Sequence, residues 1–278
     1  MKTIVYHYCS LETFMSIVTN KIIWLSHSRN TNDKTECLYA LRHITNVLEN
    51  YCNNNMYDKL TDEIIDCTKS IVDFPYIFCC SKEKDLLSQW NKYGDDGKGI
   101  AIGFDINCIP HIDILGKGDF TNNLIIDEVN YNMKGFDKII INSIKTIPLL
   151  REKGLNNGKI KNMIIEFYKM LSTFIKDKGF KEEKEVRFAF KACYAHLLKS
   201  LNEDFNINCP KHPQIKFRTS NNNIISYFEQ GFEKNAIKEI VLGPKCNVDF
   251  NQLTLFLSEY LPEVRKKNKI IKSNIPYI

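Results

Sequence analysis

A glutamate and an arginine two residues apart, in a run with strand periodicity, are the side chains of this sequence best suited to chemistry. In FKEEKEVRFAF (Phe180 to Phe190), Val186, Phe188 and Phe190 alternate with Glu183, Glu185, Arg187 and Ala189. A period of two sends the apolar set into a core and the charged set to the opposite side. A carboxylate held on strand backbone beside a guanidinium can stabilise a developing positive charge without drifting. The plainer reading is a half-buried antiparallel strand whose charged face is solvated, since surface Glu and Arg on one face often contribute little.

The elements around this run must supply the rest of any site. Thr3 to Cys9 alternates as a strand, and Ser10 caps a helix in which Leu11, Phe14, Met15 and Val18 recur at helical spacing. His7 therefore stands near the end of the first strand, on the face of Val5 and Cys9, flanked by Tyr6 and Tyr8. Alone, it reads as a histidine satisfied by hydrogen bonds at a sheet edge. A ligand over that strand end would meet an imidazole and aromatic surface together. Ile22 to Leu25 is a short strand followed by the polar loop SHSRNTND (Ser26 to Asp33), and helices are expected at 34–52 and 57–71.

Tyr76 to Cys80 reads as a strand, Asp85 to Gly94 as a short helix, and Gly97 to Asp105 as a strand entered through a glycine-rich turn. Trp90 and Tyr93, three apart on that helix, share a face and could stack on a flat ring; with Leu86 and Leu87 beside them, simple core packing is the competing reading. Tyr93, next to Gly94, Asp95 and Asp96, reads as the rim position. Leu124 to Tyr131 is a strand, and helices occupy 134–150 and 157–176. The apolar stripe of the latter, Ile160 to Phe174, is core packing. Strands at Ile215 to Arg218, Ile224 to Phe228 and Ile237 to Leu242, a helix at 249–260 and a strand at Ile270 to Ser273 follow. Strands and helices do not alternate as βαβ units, so the expected class is α+β: one domain over 1–278, with a helical insertion near 133–177.

Composition narrows the classes. The 278 residues are 44% hydrophobic, enough for a substantial core, and carry a formal charge of +5, which permits an anionic ligand or nucleic acid without demanding either. Lys176, Lys178, Lys181 and Lys184 are the densest basic group near the Glu185 strand, a pattern usually met as solvated surface. Ten scattered cysteines with no secretory leader ahead of the first strand read as a reduced, cytoplasmic protein, and no apolar run approaches a membrane span. There is no Gly-Lys-Ser/Thr phosphate loop, no Gly-x-Gly-x-x-Gly and no Gly-x-Ser-x-Gly elbow. Cys193 with His196 and Cys209 with His212 are Cys-x-x-His pairs that could complete a zinc site, but the ligand order is atypical and no metal is expected.

Taken together, YHYCSLETFMSIVTNKIIWLS, SRNTND, FCCSKEKDLLSQWNKYGDDGKGIAIGF, FKEEKEVRF and IKSNIPYI resemble a widespread bacterial domain family grouped distantly with ADP-ribosyltransferases. The resemblance runs from His7 to Pro276. It implies an ADP-ribosyltransferase-like split antiparallel sheet that cradles NAD. Carried over, Glu185 is the catalytic acid, His7 the ribose- and nicotinamide-contacting histidine, and Tyr93, or else Trp90, the stacking aromatic. Tyr8, Arg29, Asn32, Asp33, Ser81 and Arg187 lie near the dinucleotide. Val186 stands where the family usually has tryptophan, which alters packing beside the carboxylate and leaves the carboxylate in place. The implied activity is transfer of ADP-ribose to a macromolecule, nucleic acid before protein, by a toxin-type or phage-defence effector, with an antitoxin or regulatory protein as a further partner. NAD hydrolysis and non-catalytic binding of nucleic acid or protein on the same fold are the alternatives.

Overall fold

The computed structural model describes residues 3–28, 36–72, 74–114, 124–190, 214–220 and 222–277. Local signals set the first elements. β1 (Ile4–Cys9) ends at Ser10, whose side chain accepts from the Thr13 backbone and caps α1 (Leu11–Asn20). Lys21, in a left-handed conformation, stops that helix and turns the chain into β2 (Ile22–His27). The buried face of α1 is Phe14, Ile17 and Val18, while Met15 is exposed, so the apolar stripe lies one position round from the expected one. α2 (Glu36–Asn54) and α3 (Leu60–Lys69) lead to β3 (Tyr76–Ser81), α4 (Leu87–Tyr93) and β4 (Ile100–Asp105). β5 (Leu124–Glu128), α5 (Asp137–Lys145), α6 (Ile147–Glu152) and α7 (Asn157–Thr173) precede a 3-10 turn at Lys178–Glu183 and β6 (Glu185–Phe190). β7 (Lys216–Ser220), β8 (Asn223–Gly231), β9 (Ile237–Leu242), α8 (Phe250–Tyr260), α9 (Pro262–Lys266) and β10 (Ile270–Lys272) complete the order.

The strands form one open, mostly antiparallel sheet, in a mixed α/β architecture, with β10 against β9 as its parallel pair of strands. β3 is its branch point. One edge of β3 pairs along its whole length with β6, from Tyr76↔Phe190 to Ser81↔Glu185. The other edge is divided: Ile77 and Tyr76 pair with β2, and Ser81 pairs with Tyr6 of β1. Two leaves therefore leave the same edge of β3, one running β1, β4, β9, β10 and the other β2, β8, β7. Between their points of attachment, Phe78 to Cys80 have no ladder partner on that edge.

Both faces of the central strands are covered. On one face, Val5, Ile23, Phe78, Phe104, Val186 and Phe188 pack with Phe14 and Val18 of α1 and Leu253 and Leu257 of α8. On the other, Ile77, Ile125 and Ala189 pack under a helical layer drawn from two stretches of chain, with Ile44 and Leu48 of α2, Ile64 of α3, Ile140 of α5 and Leu171 of α7. The helices between β5 and β6 thus share one core with α2 and α3. A smaller cluster of Tyr6, Tyr8, Ala101 and Val241 under Trp90 closes the same face of the first leaf. No helix among the described residues is long and apolar enough to cross a membrane.

Candidate active site

β6 is buried at every position. The alternation in the sequence is real, with Val186, Phe188 and Phe190 in one core, but the expected solvated face does not exist: Glu185 is 6% exposed and Arg187 1%. The strand is also shorter than its pattern, because Glu183 closes the 3-10 turn and Lys184 takes a left-handed conformation (φ 44°) before β6 begins. Charges without water must be answered by protein. Arg187 donates from Nε to Glu185 Oε1 at 2.7 Å and from Nη2 to Oε2 at 2.9 Å, and its Nη1 donates to the Thr173 carbonyl at 2.6 Å. Lys176, 3% exposed, donates to Glu185 Oε2 at 3.1 Å and to Glu183 Oε2 at 2.7 Å, with the Phe180 ring 4.7 Å from its ammonium. Lys92 reaches Glu183 Oε1 at 3.2 Å.

Burial by itself would raise the Glu185 carboxyl, but the charges of Arg187 and Lys176 outweigh it and hold the group down at about 2. Its backbone is fixed as well: the Glu185 N–H donates to the Tyr131 hydroxyl at 2.9 Å, and its carbonyl accepts from Val129 at 2.9 Å.

His7 occupies the gap at the fork. Its ring stacks on Phe78, centroids 4.1 Å apart, and Nδ1 lies 2.9 Å from the Cys79 carbonyl, one of the groups left without a ladder partner. A carbonyl only accepts, so Nδ1 carries the proton and Nε2 is the acceptor of a neutral imidazole. Burial keeps it neutral, lowering its value from 6.5 to about 4. His7 is satisfied by a hydrogen bond as expected, but inside the sheet and not at its edge.

Beside this gap lies a cavity of about 190 Å³, into which β1 sends His7 and Tyr8, β3 sends Cys79, α4 sends Gln89 and Tyr93, and the turn and β6 send Glu183 and Glu185. Tyr93 is half-buried, and burial raises its phenol despite the neighbouring Lys92. Trp90 is not available to a ligand. It is fully buried, meets Tyr8 edge-on at 4.7 Å and donates Nε1–H to Asp85 at 2.7 Å. The two rings share a helix face, as their spacing requires, yet Trp90 is core and Tyr93 the rim; Leu87, expected to pack with them, is 40% exposed. Tyr8 anchors the loop ahead of α4, donating to the Glu83 carbonyl at 2.6 Å and accepting from Leu86 at 3.2 Å. A larger, open recess of about 1060 Å³ also reaches Glu185 and is lined by Tyr131, Phe136, Phe174, Lys178 and Lys181. The small cavity is the better candidate centre because it alone of the two joins Glu185 with His7 and Tyr93.

Of the other expected ligand contacts, Ser81 is 1% exposed and donates to the Glu183 carbonyl at 2.7 Å, and Arg187 stands behind Glu185, away from the cavity lining. Neither lines the small cavity. Arg29, Asn32 and Asp33, and the Cys193–His196 and Cys209–His212 pairs, lie outside the described residues. Among the described residues no group of three or more His, Cys, Asp or Glu side chains is placed to hold a metal ion. Lys176 and Glu183 are the members of the charge cluster that sequence reasoning missed. Glu183 was legible in the run before β6. Lys176 looked like one of a solvated lysine group, and nothing local marks it as buried.

With this geometry in place, the comparisons with known proteins bear on part of the site. Residues 89–188 match DUF2971, a family described as a protein of unknown function. The matched stretch runs from α4 through β6 and carries Gln89, Tyr93, Lys176, Glu183, Glu185 and Arg187, but not His7. No curated protein and no solved structure matches the chain.

Chemically, the cavity is lined by the fixed carboxylate of Glu185, the neutral imidazole of His7, the ring of Tyr93 and Gln89. A cavity of about 150 Å³ is enough for a benzene-sized ring. The volume of about 190 Å³ therefore suits one aromatic ring, not a whole dinucleotide.

Proposed function

We propose that this protein is an NAD-consuming enzyme of the ADP-ribosyltransferase type, working in the cytoplasm as a toxin-like or phage-defence effector and transferring ADP-ribose to a macromolecule, nucleic acid in preference to protein. The observation that carries the reading is the convergence of His7, Tyr93 and Glu185, from three distant segments, on one ring-sized cavity where two leaves of the sheet part from β3. The forked sheet is the arrangement expected of a split ADP-ribosyltransferase-like core. The nicotinamide ring would occupy the cavity, with the remainder of NAD extending out of it.

In the reaction the bond between the ribose anomeric carbon and the nicotinamide nitrogen breaks. Its electron pair leaves with the ring, and an oxocarbenium-like cation develops on the sugar. A carboxylate already ionised and held rigidly needs no reorganisation to stabilise that cation. Glu185, held down at about 2, fills this electrostatic role, but so weak a base is a poor proton acceptor at neutral pH. The acceptor's lone pair then forms the new bond to the anomeric carbon, and its proton passes to water. Lys178 and Lys181, on the larger recess beside Glu185, are placed to pair with phosphates of an acceptor, although Asp127, Glu128 and Glu182 on the same recess offset their charge.

The test is nicotinamide release from NAD by the wild type, Glu185→Gln and Tyr93→Leu, with and without cellular RNA, DNA and protein, each variant first checked for folding by circular dichroism. Release that is lost in folded variants and rises with one acceptor pool is the expected result. Release without label on any macromolecule would make the protein an NAD glycohydrolase. Absence of NAD binding and consumption, together with salt-sensitive nucleic-acid affinity, would make it a binding module.

A further inference from the structure

The helical layer carries a second recess, which shares no wall with the cavity at the fork of the sheet. Two stretches of chain enclose about 410 Å³: Tyr51 of α2, Tyr57 of the link to α3 and Thr61 of α3 on one side, Ile144 and Lys145 of α5 and Pro148 of α6 on the other. A volume of that size is in the range of small-molecule sites. The two sides are tied together. Arg151 of α6 donates from Nη1 and Nη2 to the carboxylate of Asp58 in the link, the latter bond at 3.0 Å, and from Nε to Asn157 at 2.8 Å.

Two groups on these walls are unanswered. Thr61 is fully buried, and its hydroxyl makes no hydrogen bond among the described residues, whereas buried hydroxyls ordinarily find a partner. Its backbone N–H donates to the Asp58 carbonyl at 2.8 Å, so the residue is held at the start of α3. Lys145 is exposed, its ammonium 5.4 Å from the centre of the Tyr51 ring, and no carboxylate among the described residues pairs with it. The acids close by are committed: Asp58 to Arg151, and Asp62, the residue after Thr61, to the Tyr57 hydroxyl at 3.1 Å. Asp62 still opposes an anion, so attraction comes from direct contact with Lys145 and has the modest size of an exposed ion pair.

An ammonium only donates, and the hydroxyl can donate as well, so an occupant must bring acceptors. The tyrosine rings, Ile144 and Pro148 ask for a flat apolar body. We infer that this recess is a binding site for a small aromatic carboxylate, whose oxygens accept from Lys145 and from the Thr61 hydroxyl and whose ring packs on the apolar wall. The site is independent of the NAD-consuming reading. A ligand that reaches the covered hydroxyl displaces a side chain at the rim, where Met56 and Tyr57, 99% and 41% exposed, have the least packing to lose.

The experiment titrates phenylacetate, phenylacetamide and phenyl phosphate into the full chain labelled at its Met and Ile methyl groups, as wild type, Lys145→Gln and Thr61→Val, and follows the methyl NMR signals. Saturable shifts of Met56 and Ile144 with phenylacetate are expected, with the neutral amide binding about threefold or more weakly and that preference lost in Lys145→Gln. Thr61→Val removes an unanswered buried hydroxyl, so the urea midpoint of the free protein should hold or rise while phenylacetate binds more weakly. A fall in that midpoint at constant slope would show that the hydroxyl has an internal partner and would overturn its role. Preference for phenyl phosphate over phenylacetate, or a Lys145→Gln protein that still prefers the acid to the amide, overturns the carboxylate assignment. If no probe shifts Met56 and Ile144 saturably, the site itself falls.

Discussion

His7 and Cys79 meet across the fork of the sheet, with the imidazole Nδ1 2.9 Å from a carbonyl that no strand pairs. The bond does two things at once. It satisfies a buried backbone acceptor, and it fixes the tautomer, leaving Nε2 as the acceptor of the ring.

Replacing His7 by Leu should therefore cost about 1–3 kcal/mol of stability, the usual penalty for stranding a buried polar group. A urea titration checks this, with the midpoint falling and the slope unchanged.

The same residue makes stability depend on pH. Its folded value, about 4, lies below its ordinary 6.5, so between these the unfolded chain binds the extra proton. Its contribution is full above pH 6.5 and is lost as the pH falls towards 4. Glu185 acts lower: its depressed value gives stability that is present above 4.5 and lost as the pH falls towards about 2. Denaturant midpoints between pH 4 and 6.5 should fall steeply with acid in the wild type and much less in His7→Gln. Equal slopes would show that other groups govern this range.

Arg187→Met removes both bonds to Glu185 and leaves a buried carboxylate with Lys176 and the Cys79 thiol, so a loss of about 3–5 kcal/mol is expected. Lys176→Met leaves the two-point Arg187 contact intact and should cost less. Glu185→Gln leaves Arg187 short of its counter-charge, so that variant is also destabilised, and activity must be compared at matched folded fraction. Thermal denaturation of the three variants tests the ranking, which the opposite order for Arg187 and Lys176 would contradict.

Asp85 ties the end of the described chain to α4. Its Oδ1 accepts from Trp90 and from Ser273, each at 2.7 Å, and its Oδ2 from the Asn274 backbone at 3.0 Å. A helix of seven residues is not stable by itself, so its geometry depends on such ties. Asp85→Ala should cost about 1–3 kcal/mol and speed amide exchange through Leu87–Tyr93, the stretch carrying Gln89 and Tyr93. Unchanged exchange there would mean that Trp90 packing alone holds the helix.

The turn after α4 allows no side chain where it meets β1. A Cβ on Gly99 would stand 2.1 Å from the Cys9 carbonyl oxygen, which is backbone and cannot yield. Gly99→Ala should therefore destabilise by more than about 2 kcal/mol, whereas Gly154→Ala, with open space but φ of 85°, should cost only about 1 kcal/mol. Paired melting curves distinguish the two.

What the sequence determined by itself is local. Ser10 capping α1, the alternation of Val186, Phe188 and Phe190, the stripe of α7 and the pairing of Trp90 with Tyr93 on one helix face follow from backbone periodicity and short-range hydrogen bonding. The carboxylate, the histidine and the rim tyrosine could be singled out on that basis. Tertiary structure decided the rest. Whether the Glu185 face of β6 met water or protein depended on helices from two distant stretches packing over it, and their closure turned a solvated row into a buried ion cluster. Lys176 became part of that cluster for the same reason: a lysine's burial is set by what folds over it, not by its neighbours in sequence. Trp90 went to the core and Tyr93 to the cavity because Tyr8, Asp85 and the segment after β10 close around one and not the other. The cavity itself exists because β1 and β2 share one edge of β3, a long-range pairing choice that no local pattern encodes.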